Sequence, residues 1–290
     1  MNDKNLVTRS CPALILFVVD MSGSMAEKIF YEGRLIPKSD TISQIVNINI
    51  SEIISKCIRG KEFCDYFNLA ILGYNGDGVT SLLKKHCTTE KDYITVTDLM
   101  NADIEDFEYD FTMMVGGEIT EFTRKAKKFI NITPYHTTPM YAALKESYEI
   151  ARKWCREKGA QSVPPIIINI TDGEASDASA DDLLLISSRI KNLSTNKGNS
   201  IFVNIHISTS EPEKQIVFPL EPTGLKDIKF GNLLYDMSSE LSEEISCSMS
   251  RQANVPWCEG DKLRAVGYNT SISQLFNVLQ IGSLSVTIES

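Results

Sequence analysis

The sequence is poor in histidine and has no apolar run of membrane-spanning length. Among 290 residues there are three histidines and two tryptophans. The apolar stretch at residues 13–19 is far shorter than the roughly 20 residues that a membrane-spanning helix needs. Lys4 and Arg9 precede this stretch, but Pro12 interrupts the segment and no small-residue cleavage pattern follows Asp20. We therefore expect no secretory signal, no membrane partner and a cytoplasmic location.

An excess of basic charge is also lacking. The chain has 29 lysines and arginines against 38 aspartates and glutamates, which gives a formal net charge of -9. Binding along a nucleic-acid backbone requires a basic face, so we expect no nucleic-acid partner.

The 7 cysteines are odd in number and contain no C-x-x-C pair. This pattern indicates reduced thiols rather than a disulfide framework or a zinc site.

Short apolar segments alternate with amphipathic ones along the chain. The apolar segments are rich in β-branched residues, as in strands that are covered on both faces, and they lie at residues 13–19, 67–74, 165–171 and 201–207. Helical spacing of apolar residues is found at residues 42–57, 119–129, 140–155, 183–193 and 271–281. This alternation predicts an α/β three-layer sandwich, with a mostly parallel central sheet and helices on both faces.

One connection favours a hairpin instead of a crossover helix. The sequence "NGDG" at residues 75–78 lies between two apolar segments, which is a strong signal for a tight β-hairpin. It predicts one short antiparallel edge strand in the sheet. A calcium loop at Asn75 and Asp77 is the alternative, but no glutamate occupies the twelfth position from either residue.

Two segments do not follow the alternation, at about residues 85–117 and 208–240. The first is acidic and the second contains Pro212, Pro219 and Pro222. Neither contains internal repeats, low complexity or an obvious linker. We therefore predict one domain over residues 1–290, with these two segments as insertions.

Polar motifs follow the predicted strands, where loops meet at one edge of a parallel sheet. Asp20, Ser22 and Ser24 follow the first strand, Thr138 lies in "HTTPMY", and Asp172 lies in "TDGEAS". Ligands bind at the carboxyl ends of strands in open α/β sheets, so we expect these five residues to lie close together. Taken singly, each motif has a simpler interpretation as a turn, or as a helix cap in the case of Thr138 before its proline.

The five residues offer only oxygen ligands. Hydroxyl and carboxylate oxygens suit a hard divalent cation, which favours Mg²⁺ or Mn²⁺ and does not discriminate against Ca²⁺. The absence of histidine and cysteine from the set disfavours zinc. The pattern therefore predicts a divalent-cation site.

The same residues resemble a known family. "DMSGSM", the threonine of "TTP" and the aspartate of "TDG" look like the metal-ion-dependent adhesion site of von Willebrand factor type A domains, and the order of elements from residue 13 to about 207 is similar. The resemblance implies that Ser22, Ser24 and Thr138 bind the metal directly, while Asp20 and Asp172 act mostly through water. The family more often has "GGTP" where this chain has "HTTP". Thr137 is thus an alternative to Thr138, which is favoured because it directly precedes the proline.

A metal held by neutral hydroxyls keeps much of its charge and one replaceable position, which suits an Asp or Glu carboxylate of a protein partner. The chain most resembles bacterial stand-alone cytosolic members, including TerY-like proteins of stress or defence systems. That likeness implies partners such as a kinase, a phosphatase or an AAA+ ATPase. An extracellular, integrin-like location is the alternative, disfavoured by the N-terminus and by the odd number of thiols.

Two other functions use the same residues. A phosphatase-like hydrolase would use a metal beside Asp20 and His136 to activate water, but no nucleophile with a paired base stands out in the sequence. A metal that only fastens three loops together is the other alternative. We expect a non-enzymatic protein-binding module.

Overall fold

The computed structural model describes residues 6–31, 34–87, 89–115, 118–159, 161–207, 216–225, 229–268 and 287–288. The strands of these residues, in chain order, are β1 (Leu6–Val7), β2 (Ala13–Asp20), β3 (Lys28–Tyr31), β4 (Arg34–Pro37), β5 (Ile58–Arg59), β6 (Glu62–Phe63), β7 (Phe67–Asn75), β8 (Gly78–Ser81), β9 (Ile94–Thr95), β10 (Asp106–Val115), β11 (Glu118–Lys127), β12 (Ile166–Thr171), β13 (Ser194–Thr195), β14 (Gly198–Asn199), β15 (Ile201–His206), β16 (Ile216–Val217), β17 (Val266–Tyr268) and β18 (Thr287–Ile288). The α-helices are α1 (Lys38–Lys56), α2 (Val96–Asn101), α3 (Met140–Lys158), α4 (Ala180–Lys191), α5 (Lys229–Met237) and α6 (Glu243–Ala253), and short 3-10 helices cover Gly23–Ala26 and Pro222–Gly224.

The central sheet has the strand order β16-β17-β15-β12-β2-β7-β8, and β9 pairs with β7 beside β8. The strands from β17 to β7 are parallel to their neighbours, whereas β8, β9 and β16 are antiparallel to theirs. The four apolar segments predicted as strands are β2, β7, β12 and β15. The short antiparallel strand predicted after "NGDG" is β8, so that expectation is confirmed, and β9 and β16 add two more.

Helices cover both faces of this sheet, which confirms the three-layer α/β sandwich. Side chains of β2 alternate between two cores: Ile15 and Phe17 belong to one, Leu14 and Leu16 to the other. Residues of α1, α2 and α6 pack in the first core, and residues of α3, α4 and α5 pack in the second. Each fully buried large apolar side chain stabilises the fold by about 1.5–3 kcal/mol. Because both its faces are buried, β2 is a rigid support for the loop that follows Asp20.

The helix predicted at residues 119–129 is wrong. This segment is β11, which pairs with β10 in antiparallel register from Asp106 opposite Lys127 to Val115 opposite Glu118. Its threonines and aromatic residue favour a strand, and this pairing prevails over the helical spacing of its apolar residues. The hairpin begins inside the segment predicted as an insertion at 85–117 and continues beyond it.

The sequence also predicts a helix at residues 271–281 and an insertion at about residues 208–240. The helix predicted at residues 271–281 lies outside the described residues. The segment 208–240 contains β16 and α5, and Leu234 and Met237 of α5 are buried in the second core. This segment therefore adds a short strand and a partly buried helix to the fold, while its interpretation as an insertion in a single domain stays a prediction.

The sequence also predicts no membrane-spanning helix and reduced thiols rather than disulfide bonds. Of the helices that the structure describes, none is both long enough and apolar enough to cross a membrane. The cysteines are all free thiols, and Cys57 and Cys64 are buried.

The first turn of α3 is capped by a side chain from another loop. Asp177, in the loop after β12, accepts hydrogen bonds from the backbone N–H groups of Tyr141 at 3.0 Å and Ala142 at 2.9 Å. The residue at the N-cap position is Pro139, and no side-chain hydrogen bond is made from that position. The interpretation of Thr138 as the cap of this helix was therefore wrong.

We predict that Asp177→Ala lowers the free energy of unfolding by about 0.5–2 kcal/mol, because two N–H groups at the positive end of α3 lose their acceptor. Urea denaturation followed by circular dichroism measures this. Asp177→Asn keeps one acceptor oxygen and should lose less stability than the alanine variant. Equal stability of the wild type and Asp177→Ala would contradict this role of the carboxylate.

Candidate metal centre

Four of the five predicted residues are joined by side-chain hydrogen bonds at the carboxyl ends of β2 and β12. The N–H of Ser22 donates to Asp20 Oδ1 at 2.8 Å, and the two serine hydroxyls, Ser22 Oγ and Ser24 Oγ, lie 3.1 Å apart. Ser24 Oγ donates to Asp172 Oδ1 at 2.7 Å. Because the Ser24 hydroxyl donates its hydrogen bond to Asp172, the Ser22 hydroxyl is the donor between the serines. The structure therefore brings these four residues together at one edge of the sheet.

Asp20 is a fully buried carboxylate at the end of the central strand. Its second oxygen, Oδ2, accepts a hydrogen bond from Thr171 Oγ1 at 2.9 Å. Burial raises the pKa of Asp20 to about 6. The hydrogen bonds from Ser22 act in the opposite direction and lower the pKa, but burial is the larger effect. No salt bridge to Asp20 is found in the part of the chain that the structure describes. A buried carboxylate of this kind carries a desolvation cost that a nearby cation would offset.

Thr138 lies on a loop that is fastened on both sides. The N–H of Gly23 donates to the carbonyl of His136 at 2.9 Å, which ties this loop to the serine loop. On the other side, the N–H of Thr138 donates to Ser176 Oγ at 3.1 Å, and the N–H of Ser176 donates to the Thr138 carbonyl at 2.9 Å. These bonds place Thr138 between the loops that carry Ser24 and Asp172.

The Thr138 side chain remains available for a ligand. Thr138 is partly buried, and among the described residues no hydrogen bond to its hydroxyl is found. It does not cap α3, whose first turn is satisfied by Asp177. Thr137 is exposed, so of the two candidate threonines Thr138 is the more enclosed.

Two glycines on facing loops make room for His136. His136 has a left-handed backbone, with φ of 49°. A Cβ atom added to Gly76 would lie 2.5 Å from the Cβ of His136, and one added to Gly23 would lie 3.3 Å from its carbonyl oxygen. The absence of a side chain at Gly76 therefore makes room for His136, and a Cβ at Gly23 would make a tight contact with the His136 carbonyl.

The structure also shows a buried lysine that the sequence did not point to. Lys38 Nζ lies 2.7 Å from Asp172 Oδ2 and 3.1 Å from Glu27 Oε2. Lys38 precedes the helix predicted at residues 42–57, where a lysine is most simply interpreted as a solvated charge, so no local signal identifies it. Thr171 and Ser176 were missed too, although both lie in the strand-end motif "TDGEAS" that drew attention to Asp172.

The arrangement fits a small divalent cation on the chemistry of its donors. Adjacent oxygens in an octahedron with Mg–O distances of about 2.1 Å lie about 3 Å apart. The 3.1 Å between the hydroxyl oxygens of Ser22 and Ser24 matches that separation. The carboxylates accept hydrogen bonds from protein donors, and the serine oxygens, although also hydrogen-bonded, keep a lone pair that can bind a cation directly. Among the described residues, no group of three or more His, Cys, Asp or Glu side chains could hold a metal ion.

The described hydrogen bonds pair neither His86 nor His136 with a nucleophile. His86 Nε2 bonds to the carbonyl of Phe129, and the buried His206 ring stacks on Tyr268 at 4.5 Å. The exposed His136 ring packs edge-on against Tyr135 at 3.8 Å. In the described part of the chain, no hydrogen bond joins the His136 side chain to a serine, threonine or aspartate.

No protein-family model matches the chain, and no curated protein matches it. Three solved structures with similarity to it are a von Willebrand factor type A protein from Catenulispora acidiphila, proximal thread matrix protein 1 from the mussel byssus, and the von Willebrand factor domain of the type V pili tip protein Mfa5 from Porphyromonas gingivalis. Their sequence identities to the chain are 13%, 14% and 14%, and their TM-scores are 0.41, 0.38 and 0.34.

The matches cover 78%, 80% and 60% of this chain. They cover 37%, 40% and 49% of the three structures, so the chain spans less than two thirds of each. Likeness at this level of identity and TM-score does not assign the chain to a family.

Proposed function

We propose that this chain is a von Willebrand factor type A protein with a metal-ion-dependent adhesion site, and that it binds a protein partner through a divalent cation. Ser22, Ser24 and Thr138 would hold the cation directly. Asp20 and Asp172 would orient the serines and act on the cation through water. The cation is Mg²⁺ or Mn²⁺ in this proposal, because hydroxyl oxygens suit hard cations.

The observation that carries the proposal is the pair of serine hydroxyls 3.1 Å apart, with each serine held by a carboxylate. Asp20 accepts a hydrogen bond from the backbone N–H of Ser22, and Asp172 accepts one from the Ser24 hydroxyl. Both serine oxygens therefore have lone pairs available in one fixed arrangement. The side chains that would touch the cation are neutral, and the charged ones stand behind them.

This arrangement gives a reason for partner binding. When bound, the cation supplies a Lewis-acid centre whose charge is little reduced by neutral ligands, so an outside carboxylate is a strong additional ligand. The partner would present an Asp or Glu to it. The likeness to TerY-like proteins extends the proposal to a cytoplasmic stress or defence system, with a kinase, a phosphatase or an AAA+ ATPase as the partner.

We propose binding rather than catalysis. A hydrolase would need a group positioned to move a proton at the site. His136 is the nearest histidine in sequence to Thr138, and its ring packs on Tyr135 instead of on a site residue. This packing supports a non-enzymatic role.

The two adjacent threonines offer a matched test of cation binding. We predict that Thr138→Ala weakens Mn²⁺ binding by tenfold or more, since it removes a direct oxygen ligand, whereas Thr137→Ala binds Mn²⁺ as the wild type does. Electron paramagnetic resonance of free Mn²⁺ during a titration measures both affinities. The reverse result would assign the ligand to Thr137, and equal affinities in all three proteins would contradict the proposed site.

Partner capture tests the function itself. The immobilised protein should retain a soluble partner in Mg²⁺ and release it in EDTA, and Thr138→Ala should retain none while Thr137→Ala retains it normally. The partner would then be purified, and replacing its contacting Asp or Glu by Asn or Gln should abolish retention. Retention that persists in EDTA and in Thr138→Ala would contradict metal-dependent binding. Stabilisation by Mg²⁺ without any metal-dependent capture would instead favour a purely structural metal.

A further inference from the structure

Lys38 places a buried positive charge next to the candidate metal centre. Its side chain is 3% exposed, and the Asp172 side chain that it contacts is fully buried. Its other partner, Glu27, has a side chain that is 58% exposed. The contact with Asp172 is therefore largely shielded from water, whereas the one with Glu27 is screened.

The backbone holds Lys38 in this place. Lys38 is the first residue of α1, and its N–H donates to the carbonyl of Glu27 at 2.9 Å. The hairpin of β3 and β4 lies between these two residues, with Lys28 opposite Pro37 at its base. The base of the hairpin and the first residue of α1 therefore position the ammonium group beside Asp172, and the salt bridge is part of the candidate site.

The two oxygens of Asp172 serve different partners. Oδ1 accepts a hydrogen bond from Ser24, a proposed cation ligand, while Oδ2 accepts a hydrogen bond from the Lys38 ammonium group. One carboxylate thus separates the ammonium from a serine that would touch the cation. Asp20 and Asp172 together bring two negative charges when both are ionised, and Lys38 cancels one of them.

We propose that Lys38 is a built-in counter-cation that weakens divalent-cation binding and leaves the occupied site more positive toward a partner's carboxylate. This inference rests on the proposed function of the same site. A divalent cation near an ammonium group in a poorly hydrated site is repelled by it. The same charge adds to the attraction that the occupied site exerts on an incoming carboxylate. Lys38 would not touch the cation itself, because Asp172 lies between the ammonium group and Ser24.

The test compares Mn²⁺ affinity in variants that change the charge at this position. Lys38→Met keeps the length of the side chain and removes its charge, and it should bind Mn²⁺ about tenfold more tightly than the wild type. Lys38→Arg keeps the charge and should stay within about threefold of the wild type. Lys28→Met removes an exposed lysine of the neighbouring hairpin and controls for a general change in charge, so it should leave the affinity nearly unchanged.

A second measurement covers the case in which Lys38→Met folds poorly. Without metal, this variant leaves Asp172 Oδ2 without its cationic partner and should melt at a lower temperature than the wild type. Mn²⁺ should then raise its melting temperature by more than it raises that of the wild type, because tighter binding gives a larger stabilisation. Lys38→Gln, whose amide can donate to Asp172, carries the same expectation with less loss of stability.

The outcomes separate this inference from the proposed function. Unchanged or weaker Mn²⁺ binding by folded Lys38→Met and Lys38→Gln would overturn the role of Lys38, while Mn²⁺ binding by the wild type would leave the proposed site intact. Mn²⁺ binding by the Lys38 variants alone would support the inference in its strongest form. No binding by the wild type or by any variant would overturn both proposals.

Discussion

The hydrogen bond from Ser24 to Asp172 joins the loops that follow two neighbouring parallel strands, and the rest of the candidate site depends on it. At 2.7 Å it links the serine loop to the loop that also carries Ser176 and Asp177. Those two residues hold the threonine loop and the start of α3 in turn. Without this bond, Asp172 Oδ1 and the Ser24 hydroxyl would each lose one partner in a partly buried place, at a cost of about 1–3 kcal/mol. The three loops therefore form one connected polar network at the edge of the sheet.

Close approach of the loops requires space as well as hydrogen bonds. Where the resembling family more often has two glycines before "TP", this chain has His136 and Thr137. The room is provided by Gly23 and Gly76 on the loops that face them, where an added Cβ would crowd His136. Small residues thus lie opposite the threonine loop, and Thr138 lies between the serine and aspartate loops.

Local patterns in the sequence were enough to predict the parallel strands and the edge hairpin at "NGDG", and they also pointed to the serines and aspartates that the structure brings together. Buried strands and tight turns have such patterns because neighbouring residues determine them. The segment 119–129 was predicted as a helix because its apolar residues have helical spacing, and pairing with β10, which lies outside this local pattern, overrides that spacing. Lys38 and Asp177 could not be identified, since their partners lie far away in the sequence and the fold alone brings them together.

The central claim is that neutral hydroxyls, with carboxylates behind them, hold a divalent cation at the edge of this sheet. A crystal structure of the protein grown with Mn²⁺, with anomalous diffraction recorded to locate the metal, tests this most directly. The account predicts an anomalous peak in direct contact with the side-chain oxygens of Ser22, Ser24 and Thr138. A peak bound directly by the carboxylates of Asp20 and Asp172, or no peak between these loops at saturating Mn²⁺, would contradict it.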